Sequence, residues 1–549
     1  MTPAPASARL WWALAGVPLL FLGTFFLWPA ATVLWRGLVG DDAGVGPGAG
    51  LAEAWAVLAS SRTLRAIATT AWLALAGTAG SLVLGLPAAW ALSRFSWRGS
   101  RTVRALVTVP FVLPTIVVAA AFSALFAASG ILGGLGLDQS PVAIVLALVF
   151  FNVSVVVRIV GGAWEALPPG RSLAARTLGA SRWRAFVHTT LPALRPAIAS
   201  SAAVVFLFCS TSFALVLTLG GTRVRTIETE IWIQVNQFLD LRAAAVLALV
   251  QVAFVGLALW VSSRASHARA AAGVATARRR GPRGRERWAV AAALLPTLAL
   301  LALPIAALVE RSLRVVGGYG LDHYRALLVP PARTALPVPV WEAAVNSLVT
   351  ALIATAMATV VGLVTAQLLA ARSRRAGVLE SLVMLPLGVS AVVVGLGLLL
   401  TLNRAVLGVD LRGSWWLVPI AQAVVALPLM VRALVPAARA IDPRLRAAAA
   451  TLGASPWRTW WQVDARLLRA PAGASIAFAF AISMGEFGAT VFVARPDRPT
   501  LTTAISRLLS RPGLDNAGMA FAAAVLLAAL TAAVMLLSER LRTTVGAEL

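Results

Sequence analysis

Runs of about 20 consecutive apolar residues recur along this chain from one end to the other, and each is long enough to cross the roughly 30 Å hydrocarbon layer of a bilayer as a helix. A helix satisfies its backbone N–H and C=O groups internally, which lipid requires, so such a chain is expected to fold as an all-α polytopic membrane protein. Composition agrees. Charged residues make up 12% of the 549 residues and hydrophobic ones 59%, whereas a soluble domain carries about 25% charge. Twelve spans can be drawn, at 11–31, 66–92, 105–128, 141–163, 191–219, 243–262, 288–309, 343–370, 378–402, 415–436, 471–494 and 517–537. The first follows Arg9 and is long for a signal peptide, so it is read as an uncleaved helix. Pro110 and Pro114 in the third span and Pro386 in the ninth are expected to kink them.

The formal charge is +26, and all 47 basic residues are arginine. Such a balance in a soluble chain suggests nucleic acid; here the arginines cluster in short loops between apolar runs, where they orient helices against anionic lipid. Arg94, Arg98, Arg101 and Arg104 mark one loop as cytoplasmic, and Arg372, Arg374 and Arg375 mark its counterpart. The opposite loops are mixed: Asp41, Asp42 and Glu53 accompany Arg36, Arg62 and Arg65, while Glu228, Glu230 and Asp240 accompany Arg223 and Arg225. With an even number of spans, both termini are expected in the cytoplasm. The Arg-rich, Ala- and Gly-rich stretch 263–287 is expected to link two membrane domains, 1–262 and 288–549. Catalytic signals are missing. The single cysteine, Cys209, lies in an apolar run, the histidines at 188, 267 and 323 lack ligand spacing, and no phosphate-binding loop of the G-x-x-x-x-G-K-[ST] type is present.

The two halves repeat one another. Ala174–Arg184 reads AARTLGASRWR and Ala448–Arg458 reads AAATLGASPWR, nine of eleven positions identical at an offset of 274. The same offset pairs Arg158 with Arg432 and Pro169 with Pro443, and Gly85 and Gly362 share a context at a slightly different offset. Both copies fall between the fourth and fifth spans of their half, which implies a parallel duplication of a six-span unit about an axis along the membrane normal. Each loop begins as a short amphipathic helix, reaches Gly179 or Gly453 as a turn, and continues with Ser181 or Ser455 as the cap of a second helix bearing Trp183 or Trp457. A protruding helix-turn-helix in each half suits two equivalent clefts on a symmetric partner. The plainer reading is that each loop merely covers its own bundle.

At these residues the chain resembles the permease subunits of bacterial ATP-binding-cassette importers, whose coupling loop has the form E-A-A, three residues, G, nine residues, I, one residue, L-P. Ala174, Ala175, Gly179, Leu191 and Pro192 fit, with Leu173 in the glutamate position. Ala448, Ala449 and Gly453 fit in the second copy, where Ala447 replaces the glutamate and Ala465 and Arg466 replace Leu-Pro. The resemblance implies that Ala174, Ala175, Gly179, Ala180, Ser181 and Trp183, with Ala448, Ala449, Gly453, Ala454, Ser455 and Trp457, dock two ATPase subunits. It further implies a multi-pass protein of the bacterial cell membrane, served by an extracytoplasmic substrate-binding protein. No cofactor would be bound directly, and ATP would be hydrolysed in the partner subunits. Two signatures in one chain, together with the run Met484–Gly513, look like the ferric-iron and thiamine branch. Ferric iron is the leading expectation for the cargo, with thiamine or another small solute as the alternative.

Glu486 is the most unusual residue in an expected span, because an ionisable group at membrane depth is costly and ordinarily faces a bundle interior or an aqueous path. Its repeat equivalent is Ser212, in the cluster Ser210, Thr211 and Ser212. These four residues are candidates for the translocation path, where a carboxylate would suit a hard cation; the competing reading is a packing or interfacial acid paired with an arginine. Asn346 and Asn403 are read as helix-orienting, Trp415 and Trp416 as an interfacial belt. A twelve-span ion-coupled secondary transporter is the alternative of another class, and the paired loops argue against it.

Overall fold

The computed structural model describes residues 8–39, 47–108, 110, 113–168, 170–265, 279–329, 336–370, 373–402, 408, 410–411 and 414–546. Asp41, Asp42, Pro169, His267, Arg269, Arg278, Arg372 and Asn403 lie outside them. Twelve helices occupy the positions of the twelve expected spans. In the first half they are α1 (Trp11–Leu38), α2 (Ser61–Arg94), α3 (Thr115–Phe126), α4 (Pro141–Glu165), α5 (Arg182–Ser210) and α6 (Leu241–Trp260). In the second they are α7 (Arg285–Leu313), α8 (Val340–Ala370), α9 (Ala391–Thr401), α10 (Leu417–Ala440), α11 (Pro456–Gly485) and α12 (Leu514–Leu536). Ten of these are long and apolar enough to cross a membrane; α3 and α9 are not.

The short pair corrects the expected third and ninth spans. The amphipathic helix Ser100–Thr108 precedes α3, and Arg374–Met384 precedes α9 through a 3-10 turn at Leu385–Gly388, with a bend of 99° in the second case. The prolines therefore end helices instead of kinking them. Pro114 sits at the N-cap of α3, and Pro386 lies in the 3-10 turn, as expected of a residue that lacks an N–H and restricts its predecessor. Ser390 takes the equivalent place at α9, its hydroxyl accepting from the Val392 N–H at 3.2 Å. The expected fifth span, 191–219, also breaks: α5 ends at Ser210 and a separate helix runs Phe213–Leu219. Its counterpart breaks between α11 and Thr490–Val493.

Within each half, α2, α4 and α5, or α8, α10 and α11, form a tight bundle. Gly85 makes the first contact possible, since a Cβ there would stand 2.7 Å from Val156 Cβ. Small residues at such points let backbones approach where no water is available to drive association. The first helix of each half crosses to the other. α1 packs on α8 and α9, and α7 packs on α2 and α3. Arg375 lies over the Trp12 ring at 5.7 Å, while Thr297 Oγ1 donates to Leu84 O at 3.4 Å and Arg311 Nη1 donates to Ser129 Oγ at 2.8 Å. The cores follow this exchange: Phe21 and Val33 of α1 share one apolar cluster with Leu396 and Leu427, and Leu294 and Leu301 of α7 share another with Phe122 and Phe150.

Candidate functional site

The two repeated loops share one backbone motif. Helix Gly170–Thr177 is followed by Gly179 at φ +86°, and helix Pro443–Thr451 by Gly453 at φ +78°. The Ala180 N–H donates to Ala175 O at 3.1 Å and the Gly179 N–H to Arg176 O at 3.1 Å; Ala454 donates to Ala449 O and Gly453 to Ala450 O, both at 3.0 Å. Paired bonds of this kind define a Schellman C-cap, which needs a left-handed residue at its centre. Ser181 and Ser455 then accept from the N–H groups of Arg184 and Arg458 at 3.3 Å, capping the next helix. The Schellman turn projects Leu178 and Leu452, 89% and 87% exposed, beside Trp183 and Trp457, 71% and 72% exposed. Trp183 stacks on Phe186 and Trp457 on Trp460. The two leucines were not singled out from the sequence. They lie within the repeated TLGAS word, but their apolar character resembles core until the turn geometry is known.

At the base of each loop an ion pair joins the amphipathic helix to the end of the span from which the loop leaves, and the two pairs have opposite polarity. In the first half Arg104, on the amphipathic helix, bonds Glu165 at the end of α4 at 2.9 Å and donates to Leu92 O at 2.5 Å. In the second half the acid is on the amphipathic helix and the base is at the end of the span: Arg439 of α10 bonds Glu380 at 2.8 Å and donates to Leu369 O at 3.3 Å. Both arginines thus reach a carbonyl in the last turn of the neighbouring long helix, α2 or α8, where cations are favoured. Arg279, within the Arg-rich stretch, also reaches Glu165 at 2.9 Å, and Arg280 pairs by backbone with Arg94 and Ser96. The second loop alone carries the pair of Arg446 with the buried Asp464, at 2.6 Å.

The four path candidates separate. Ser210 is buried, and its hydroxyl bonds Leu207 O within α5; Thr211 bonds the same carbonyl, and Ser212 stands at the N-cap of Phe213–Leu219. Glu486 is buried at the end of α11 and turned onto its own chain. One carboxylate oxygen accepts from the Ala489 N–H at 2.7 Å, the other from the Thr490 N–H at 2.9 Å and closely from the Thr490 hydroxyl. It bonds backbone N–H and hydroxyl groups there, so it caps the short helix Thr490–Val493. Next to it Phe487 stacks on Phe213 with ring centroids 5.6 Å apart. These two phenylalanines are repeat equivalents at the offset of 274, which places the pseudo-two-fold axis between their rings.

The loop expected to carry Glu228 and Glu230 at a membrane surface does not do so. Helix Ile227–Ile233 is buried, with Ile227 and Ile231 fully inside, and both acids are buried with it. Arg62 and Arg225 reach Glu230 at 3.3 and 3.8 Å. The equivalent segment in the second half is the buried helix Leu501–Leu509. At the end of the molecule opposite the repeated loops, Asn346, Trp415, Arg495, Arg498 and Thr500 line a cavity of about 180 Å³. Asn346 there donates to Pro499 O at 3.3 Å, and the Arg495 guanidinium holds the Asp497 carboxyl below its usual range. Arg158 and Arg432 both lie on exposed helix faces. Among the described residues no group of three or more His, Cys, Asp or Glu could hold a metal ion.

Two polytopic halves related by a parallel repeat, each presenting a capped loop at the same end, define a duplicated transport permease. Residues 81–268 and 358–545 each match the family described as the binding-protein-dependent transport system inner membrane component, and the chain belongs to it. It is 31% identical over 448 residues to the thiamine transport system permease protein ThiP of Escherichia coli (strain K12), covering 78% of this chain and 80% of that one. It is 28% identical over 494 residues to the protein of the same name from Brucella abortus (strain 2308), covering 86% of each. The sulfate transport system permease protein CysT of Escherichia coli (strain K12) is 30% identical over 211 residues, 37% of this chain and 76% of that one. The protein is therefore a multi-pass inner-membrane permease of an ABC importer, with a transport rather than an enzymatic role.

Proposed function

We propose that this chain supplies both membrane halves of the permease of an ATP-driven thiamine importer. The observation that carries the reading is the match to thiamine permeases along both halves. It favours thiamine, the alternative weighed from the sequence, over ferric iron. The sulfate relative pairs with only 37% of the chain, and the buried acid Glu228 near the seam suits a cation better than an anion. Thiamine carries a fixed positive charge on its thiazolium ring.

Two ATPase subunits would seat the Gly179 and Gly453 loops in paired clefts on the cytoplasmic side, with Leu178, Trp183, Leu452 and Trp457 as the apolar contacts. Closure of the ATPase dimer on ATP would draw the loops together and tilt the halves outward. A substrate-binding protein would deliver cargo at the opposite face. No cofactor is required of the chain itself, and ATP acts only in the partners. In this orientation both termini face the cytoplasm.

The test is uptake by proteoliposomes holding the permease, its ATPase and its binding protein, offered labelled thiamine, ferric complexes and sulfate separately with ATP. Thiamine accumulation alone is the expected result; accumulation of iron or sulfate in its place overturns the cargo while leaving the coupling intact. Exchanging both Leu178 and Leu452 for arginine is expected to abolish ATPase co-purification.

A further inference from the structure

Two buried acids stand near the seam between the halves, and they occupy non-equivalent positions. At the offset of 274, Glu228 corresponds to Thr502 and Glu486 to Ser212. Their hydrogen bonding differs as sharply. Glu486 has both carboxylate oxygens engaged by its own chain, as described above. Glu228 has one oxygen engaged: Oε1 accepts closely from the hydroxyl of Ser390, in the other half, and from Gln251 Nε2 at 3.4 Å. Gln251 Nε2 also donates to Ser210 O at 3.2 Å. Glu228 Oε2 and Gln251 Oε1 are both buried, and among the described residues neither has a hydrogen-bond partner.

Two side chains in contact with each other thus each keep a buried acceptor oxygen without a donor. An unmet acceptor of this kind costs about 1–3 kcal/mol, more for a charged one. Arginine neutralises the neighbouring Glu230, so the chain has cations within reach of this helix and places them elsewhere. The surroundings are apolar: Ile227 and Ile231, on the same helix as Glu228, share a core cluster with Val392, two residues beyond Ser390. A carboxylate in such surroundings favours an organic cation, whose diffuse charge costs less to strip of water than that of a small inorganic ion and which carries N–H donors for the free oxygens.

We propose that Glu228, with Gln251 and Ser390, is the cation-binding station of the translocation path. In the present conformation the Ser390 hydroxyl from the opposite half covers it, and separation of the halves breaks that bond and opens the station. The ligand is an organic monocation with ring or amino N–H donors. This rests on the reading that the cargo is thiamine, and it moves the recognising acid from Glu486 to Glu228.

The sole cysteine, Cys209, makes the test direct. In a Cys209→Ser chain assembled with its ATPase, Ser390→Cys is exposed to a cationic and an anionic methanethiosulfonate, with and without ATP and vanadate. Trapping is expected to make the thiol reactive, with the cationic reagent favoured about tenfold or more beyond its preference toward a free thiol in solution. Adding Glu228→Gln should bring the ratio of the two rates within about twofold of that free-thiol ratio. A thiol unreactive in every state, or a charge preference indifferent to Glu228→Gln, overturns the station. If Ser390→Cys fails to assemble, Gln251→Cys carries the same measurement. Protection by thiamine supports both readings. A preference that depends on Glu228 without thiamine protection keeps the station and overturns thiamine as the cargo.

Discussion

A Cβ added to Gly179 or Gly453 would meet no atom within 4 Å, so replacement by alanine is opposed only by the left-handed backbone. That conformation costs about 1–2 kcal/mol for an L-residue. The expected outcome is a chain that still reaches the membrane at normal level but loses ATP-driven uptake in both Gly179→Ala and Gly453→Ala. Asparagine, which tolerates this region, should be the mildest substitution at either site, and comparison of uptake at matched membrane abundance checks the order. Glu486 teaches the reverse lesson about single residues. Its rarity in an apolar run marked it as unusual, yet its oxygens are occupied by the N–H groups of Ala489 and Thr490. Rarity identifies a costly group without saying what satisfies it.

Among elements, the two ion pairs at the loop bases make a natural charge-reversal experiment. The pair is Arg104 with Glu165 in one half and Glu380 with Arg439 in the other, and each arginine caps the adjacent long helix. Glu380→Arg or Arg439→Glu alone is expected to lower uptake, and the double exchange should recover most of it, because the first half already operates with that polarity. Failure of the double variant would show that capping of the Leu369 carbonyl by residue 439 matters more than the pair. The elements themselves were unequally legible. TLGAS could be read because a Schellman turn requires glycine and a following cap requires a short hydroxyl residue. The breaks before α3 and α9 were hidden, because a window of 20 apolar residues is blind to a turn made by Pro114 or Ser390. Glu228 was misplaced for a related reason: charge alone assigned it to a surface loop. Ile227, Ile231 and Ile233 mark an apolar helix there, and Thr226 and Thr229 recur as Thr500 and Thr503 at the repeat offset.

For the whole molecule, the exchange of α1 and α7 means that neither half closes its core alone. A chain divided within 266–278 and expressed as two pieces is expected to reassemble, with a tag on one piece recovering the other from detergent; separate recovery would show that the crossed helices do not suffice to hold the halves. The same crossing orders events during synthesis. α1 emerges first, while its partner α8 begins about 300 residues later, a wait of roughly 15 s at a translation rate near 20 residues per second. Throughout that interval one apolar face of the first helix has lipid or an insertion factor as its only neighbour. Order of synthesis and order of packing thus diverge: the helix made first is among the last to have that face covered by protein.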